Sequence, residues 1–210
     1  MGNSWAVERM MEIAEEFCRW SQELVEVAVA LELRGDPEEM VLPYADIIEQ
    51  IPVNPQPTVP EAWWVRALGQ IEGITIHHTM SHSPVATARY VITKGRPTLP
   101  YHFWVGAEGE CWLCVPLRYG MWHDHTGHEN VNISVGMAGH LHKVAPTPVQ
   151  MEATVRLVRY LMAEYEIPLE QVQGHCDRYA TICPGWGAMH WRERFYEALR
   201  PPRSGETSEV

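Results

Sequence analysis

The sequence predicts an α/β fold, a central mixed β-sheet flanked by helices, with an N-terminal helical appendage. Three observations lead there. From Ile71 onward, short apolar runs alternate with capped helical segments, the pattern of strands and helices built into one domain. The first 34 residues instead carry one stripe of apolar positions at helical spacing. Between them, Pro52, Pro55, Pro57 and Pro60 interrupt any ladder or helix and mark a stiff, extended connector.

In chain order, the N-terminal helix places Val7, Met10, Met11, Ala14, Phe17, Cys18, Leu24, Val25 and Ala28 on one side, with Glu8, Glu12, Glu15, Glu16, Arg19 and Glu23 between them. Asn3 or Ser4 suits its start and Gly35 its stop. Asp36-Pro37-Glu38-Glu39 opens a second helix, limited by Pro43. Gly73 to His77 alternates as a half-buried strand. Ser83-Pro84 starts a helix towards Lys94 that Gly95 ends. Tyr101 to Gly106 and Glu110 to Val115 flank Ala107-Glu108-Gly109 as a hairpin, and Val131 to Ala138 is a further strand. Thr147-Pro148-Val149-Gln150 has the form of a capping box, before a helix expected to bury Met151, Val155, Val158, Met162 and Tyr165. A short strand, Gln171 to Gly174, leads to His175. The last helix covers Met189 to Leu199, and the polar tail 201–210 is expected to fray.

Composition excludes several classes. Sixteen Lys plus Arg against 27 Asp plus Glu give a net charge of −11, so bulk charge offers no attraction to nucleic acid. Hydrophobic residues at 46% and charged ones at 20% are globular proportions. No apolar run approaches the roughly 18 residues that would suggest membrane insertion. An acidic N-terminus does not resemble a signal peptide, so synthesis in the cytoplasm is expected. Five cysteines, an odd number, argue for free thiols or a metal ligand over a disulfide framework.

Chemistry concentrates at His77 on a strand end, His175 after a short strand, and Cys183 before Pro184-Gly185. Two imidazoles and a thiolate suit zinc and leave a fourth tetrahedral position for water. The same residue types also pack in apolar surroundings, and spacing alone does not separate the two readings.

The ordered set Ile76-His77-His78-Thr79, Tyr101-His102-Phe103, the stretch from Trp122 to Gly136, Gly174-His175 and Thr181-Ile182-Cys183-Pro184-Gly185 resembles the type 2 N-acetylmuramoyl-L-alanine amidases. Peptidoglycan recognition proteins and the amidase-type lysozymes of tailed phages share that fold. The resemblance covers about 120 residues, from Ile71 to Trp191. It implies a zinc (Zn2+) enzyme that hydrolyses the amide between N-acetylmuramic acid and L-alanine in peptidoglycan. His77, His175 and Cys183 would be the metal ligands, Tyr101 and Thr181 the catalytic residues, and His123 a substrate-binding residue. Thr181 stands where members carry Lys or Thr, and it cannot supply the charge that Lys would. His78, facing away from His77, and His102, facing away from Tyr101, are then packing or supporting residues. The organisation implied is a helical segment 1–50, a connector 51–61, a zinc amidase domain 62–200 and a flexible tail.

Cys183 in place of the Asp used by recycling amidases favours the phage-type endolysin branch, which would reach the wall after release. Two alternatives are a muropeptide-binding recognition module without catalysis and a cytoplasmic recycling amidase. Other histidines also cluster. The loop from His123 to Glu129 and the pair His140 and His142 have metal-ligand types, but the expected reading is solvated polar residues, with part of the loop in the substrate groove. Cys111 and Cys114, on opposite sides of a strand, are expected to be buried thiols, as are Cys18 and Cys176. Trp63 and Trp64 are assigned to packing.

Overall fold

A computed structural model describes residues 51–200, apart from Pro55, residues 60–62 and residues 127–130. The expected N-terminal helices, Cys18 and the tail 201–210 lie outside the described residues. No helix among the described residues is long and apolar enough to cross a membrane.

The sheet has five strands in the order β4-β3-β6-β2-β7. These are β2 (Gly73–His78), β3 (Phe103–Val105), β4 (Cys111–Leu113), β6 (Asn132–Met137) and β7 (Val172–Gly174). β3, β6, β2 and β7 run parallel, and β4 closes one edge antiparallel to β3. A small separate ladder joins β1 (Trp63–Val65) to β5 (Tyr119–Met121), antiparallel. That pair is not evident in the sequence, because each strand is only three residues long and neither alternates. Trp64 lies directly on Gly120, where a Cβ would stand 2.1 Å from the indole nitrogen.

Alternation along the strands sorts the sheet into two unlike faces. On one face Ile74, Ile76, Ile133, Val135, Met137, Phe103, Val105 and Val172 form the main apolar core. It is covered by α2 (Pro148–Glu164) through Ala153, Leu157 and Leu161, and by α4 (Trp191–Leu199) through Trp191, Phe195 and Leu199. Each of the large side chains fully withdrawn from water contributes roughly 1.5–3 kcal/mol. The other face carries Thr75, His77, Asn132, Ser134, Gly136 and Trp104, all buried although most are polar. They stay because each hydroxyl and amide finds a partner. Asn132 Nδ2 donates to Thr75 Oγ1 at 2.8 Å, and the Ser134 hydroxyl lies 2.7 Å from His102 Nδ1. His102, as expected, is structural: its Nε2 donates to the Tyr119 carbonyl at 2.6 Å, tying β5 to the sheet. Buried Arg66 adds donors to the Leu117 and Asn132 carbonyls at 2.8 Å each.

α1 (Pro84–Ile92) starts as expected, with the Ser83 hydroxyl accepting from Ala86 N–H and Pro84 in the first turn; Gly95 follows at φ +80. α2 departs from expectation twice. Thr147 caps it by accepting from Gln150 N–H, but the Gln150 side chain does not close a capping box. Instead its Nε2 donates at 3.0 Å to the carbonyls of Val105 and Ala138, which would otherwise lie buried without that donor. The buried stripe also centres on Ala153, Leu157 and Leu161, leaving Met151, Met162 and Tyr165 at its margin. The last helix is shorter than expected: Met189 and His190 take positive φ of 56 and 51, so a tight turn precedes regular helix from Trp191. The described part of the proline-rich stretch has neither helix nor strand. It is bound to the domain, with Asn54 N–H donating to Pro97 O at 2.7 Å and Thr58 N–H to Gly95 O at 3.0 Å.

His102 makes stability depend on acid. Burial, then the charge of Arg66, holds its pKa well below the ordinary 6.5, whereas the unfolded chain keeps the ordinary value. Its neutral form therefore stabilises fully above about pH 6.5, and that contribution is lost as pH falls, by up to about 1.4 kcal/mol per unit. Melting curves from pH 7.5 to 5 should fall less steeply for His102→Gln than for the parent. Equal slopes would show that His102 does not titrate in this way.

Candidate metal centre and active site

The site forms where the carboxyl ends of β2, β6 and β7 meet. His77 is the fifth residue of β2 and points to the polar face, while its neighbour His78 points to the other. β7 ends at Gly174, as expected, and His175 follows at once as the first residue of a short helix, α3 (His175–Arg178). Cys183 comes from the loop after α3. That loop is fixed by Cys176 N–H donating to Cys183 O at 2.6 Å and by Cys183 N–H donating to Thr181 Oγ1 at 3.3 Å. Gly185, at φ +91, lets it press on the next turn: a Cβ there would be 2.3 Å from His142 N.

The structure brings His77, His175 and Cys183 together, with one donor atom from each lying within 4.8 Å of the others. Their nitrogens are already sorted. His77 turns Nδ1 towards Cys183 Sγ, 3.6 Å away, while its Nε2 lies 3.0 Å from His123 Nδ1. His175 gives its Nε2 to the backbone carbonyl of Asp124 at 3.3 Å, leaving Nδ1 for the centre. This is how a metal-ligating imidazole is usually oriented, its second nitrogen held by a neighbour.

Burial keeps these imidazoles neutral and so able to donate a lone pair. It is the main cause lowering His77 well below 6.5, lowering His175, and lowering His123 to about 3. Burial also pushes the Cys183 thiol up to about 12, although the His78 N–H, 3.3 Å from Sγ, favours the thiolate. A thiol so placed ionises readily only beside a cation. Two neutral imidazoles and a thiol converging on one point thus fit zinc.

Tyr101 lies beside the trio, its ring centroid 5.4 Å from that of His77. The space it fills exists because residue 136 has no side chain. In the sheet register Gly136 stands between His77 and Trp104, and a Cβ there would come within 2.9 Å of the Tyr101 ring. Burial, then Cys183, raises the phenol above its ordinary value, so it remains a neutral donor. His123 is buried and touches His77 directly, with its own Nε2 unpartnered. Thr181 is half-buried on the Cys183 loop, its hydroxyl accepting from Cys183 N–H.

Sequence reasoning missed the Asp124 carbonyl, which only the fold brings to His175, and the aromatic rim. Trp122 meets exposed His125 edge-on at 4.7 Å, and Tyr179 lies 5.5 Å from His125 and 5.9 Å from His175. Arg96 stacks over Trp122 at 4.9 Å. Spacing gave no sign of this, since the contributors come from three separate loops. Cys111 and Cys114 are buried free thiols as expected, in different clusters, and Cys176 is free and half-buried.

Fold and site together define an α/β protein in which two imidazoles and a thiol converge beyond the carboxyl ends of its parallel strands. The profile of the N-acetylmuramoyl-L-alanine amidase family (Amidase_2) matches residues 67–186, over half of the chain, and the chain belongs to that family. Among solved structures, the N-acetylmuramoyl-L-alanine amidase LysC from Clostridium intestinale URNW is similar at 24% identity and a TM-score of 0.57, over 65% of this chain and 91% of that one. The Ph2119 endolysin from Thermus scotoductus MAT2119 bacteriophage Ph2119 matches at 19% identity and TM-score 0.55, over 67% and 91%. A Drosophila PGRP-LB mutant in complex with tracheal cytotoxin matches at 16% and 0.53, over 61% and 83%. At these identities the likeness is one of fold. No curated protein sequence matches the chain.

Replacing Gly136 tests the packing of Tyr101. Gly136→Ala should cost about 1–3 kcal/mol by overpacking, lowering the melting temperature by several degrees. Adding Tyr101→Ala should recover part of that loss, because the clash partner is gone. Strict additivity of the two changes would mean that they do not touch.

Proposed function

We propose that this chain is a zinc-dependent peptidoglycan amidase that hydrolyses the amide bond between N-acetylmuramic acid and L-alanine, acting as an endolysin of the phage type. The observation that carries this reading is the convergence of His77, His175 and Cys183 beside Tyr101 in a chain of the amidase family. When bound, zinc would supply Lewis acidity and a water acidified towards neutrality.

The residues supply the rest. His77, His175 and Cys183 would hold the ion, with His123 and the Asp124 carbonyl fixing the two ring planes. As water adds to the muramoyl amide, its carbonyl oxygen gains negative charge and needs a donor already in place. Tyr101 supplies one: its phenol is kept protonated by burial and its ring is wedged over Gly136. Thr181 offers a second hydroxyl without positive charge, so more of the stabilisation rests on Tyr101. His123 would steady the substrate side of His77, and the rim of half-buried Trp122 with exposed His125 and Tyr179 suits stacking against sugar rings. Cys183, rather than a carboxylate, supports the endolysin reading over a recycling amidase. The complete donor set supports an enzyme over a recognition module.

Two substitutions separate holding the ion from using it. Cys183→Ser should weaken zinc retention sharply and abolish release of amino termini from purified cell wall. Tyr101→Phe should retain zinc and slow that release by roughly 10²–10³-fold, the usual loss for one oxyanion donor. Full activity in Tyr101→Phe would remove the hydroxyl from the mechanism. Wall binding without cleavage by the zinc-loaded parent would establish a recognition module instead.

A further inference from the structure

A second histidine cluster lies on the opposite side of β2 from His77. His78 ends the strand and faces the turn that follows β6, which carries His140 and His142. One ring nitrogen from each of the three lies within 4.8 Å of the others. The His78 ring is 5.7 Å from that of His140 and 5.6 Å from that of His142, and the latter two meet edge-on at 3.7 Å. This is not the arrangement expected from sequence, where His140 and His142 read as solvated and His78 as a packing or supporting residue.

The nitrogens make the case. Nδ1 of His78, of His140 and of His142 is in each instance withdrawn from solvent and without a hydrogen-bond partner. A buried polar atom left unpaired is costly, and three in one spot are seldom accidental. Protons do not resolve it, because three imidazolium ions would repel one another and Lys143 adds like charge to His140. A cation accepting three lone pairs does. In a tetrahedral zinc site, nitrogen donors stand about 3.3 Å apart, so side-chain rotation of about an ångström closes the trio.

We propose that His78, His140 and His142 form a second metal site, for a divalent cation of the zinc type bound through imidazole nitrogen alone, with solvent at the fourth position. All-imidazole ligation selects zinc, copper or nickel over calcium or magnesium. His140 and His142 are half-buried, which leaves solvent an approach. The site is structural in placement. It would join the end of β2 to the 139–143 turn, against which the Cys183 loop presses through Gly185. It also reaches the first centre through one peptide group, since His78 N–H donates to Cys183 Sγ. An ion here would therefore brace the loop carrying the first centre's thiol. The proposal does not depend on amidase activity.

Cobalt titration of metal-stripped protein, with metal content measured after dialysis, tests it. The parent should take up two equivalents, only one of them with a thiolate-to-cobalt charge-transfer band. His140→Ala/His142→Ala should bind one equivalent and keep that band. Cys183→Ser/His175→Ala should bind one equivalent without it. Uptake by the parent of only the equivalent that carries the band, or of two equivalents by His140→Ala/His142→Ala, would overturn the site. Because the charge-transfer band belongs to Cys183 alone, loss of the second site and loss of the first are read separately.

Discussion

The register of β2 against β6 is the constraint on which the site depends. Pairing His77 with Gly136 puts the imidazole beside a position with no side chain, and Tyr101 occupies the gap. A slip of one residue would turn His77 into the apolar core and present His78 in its place. The register is held by the far face, where Ile74 and Ile76 meet Ile133 and Val135 under α2 and α4. Hydrophobic packing on one side of the sheet thus fixes polar geometry on the other.

That polar side is buried, and its hydroxyls and amides are bonded. Thr75 with Asn132, and Ser134 with His102, form pairs that forbid alternative arrangements without leaving a buried group unpaired. His102 and Arg66 extend this order to β5 and the segment before it. The result is a rigid floor below His77, His123 and Tyr101. The ceiling is different. It comprises the loop of Cys183 and the loop of Asp124, which are joined to the floor through His175 and the sulfur. The site lies beyond the carboxyl ends of parallel strands, where backbone donors and loop side chains can converge on a ligand.

Much of this was legible in the sequence, and the misses have physical reasons. The main strands and the two capped helices announced themselves through alternation, Ser83-Pro84 and Thr147-Pro148. His77, His175 and Cys183 stood out by residue type and by family order, and the structure places them together. The β1–β5 ladder was illegible because three-residue strands have no period to detect. Gln150 looked like a capping residue, since its demand for the Val105 and Ala138 carbonyls exists only after β3 and β6 pair. The Asp124 carbonyl carries no side-chain signal at all. His78 with His140 and His142 could not be seen as a group, because more than 60 residues separate the strand end from the turn.

In the proposed function, the His77, His175 and Cys183 centre makes this chain a metal-dependent amidase. The most direct test is turnover of a defined muramoyl-peptide by the full chain, followed by the appearance of the L-alanine amino terminus. The account predicts cleavage at that amide alone, loss of cleavage with a chelator, and recovery on adding zinc back. Undiminished cleavage in the chelated protein, or none in protein shown to hold zinc at Cys183, would contradict it.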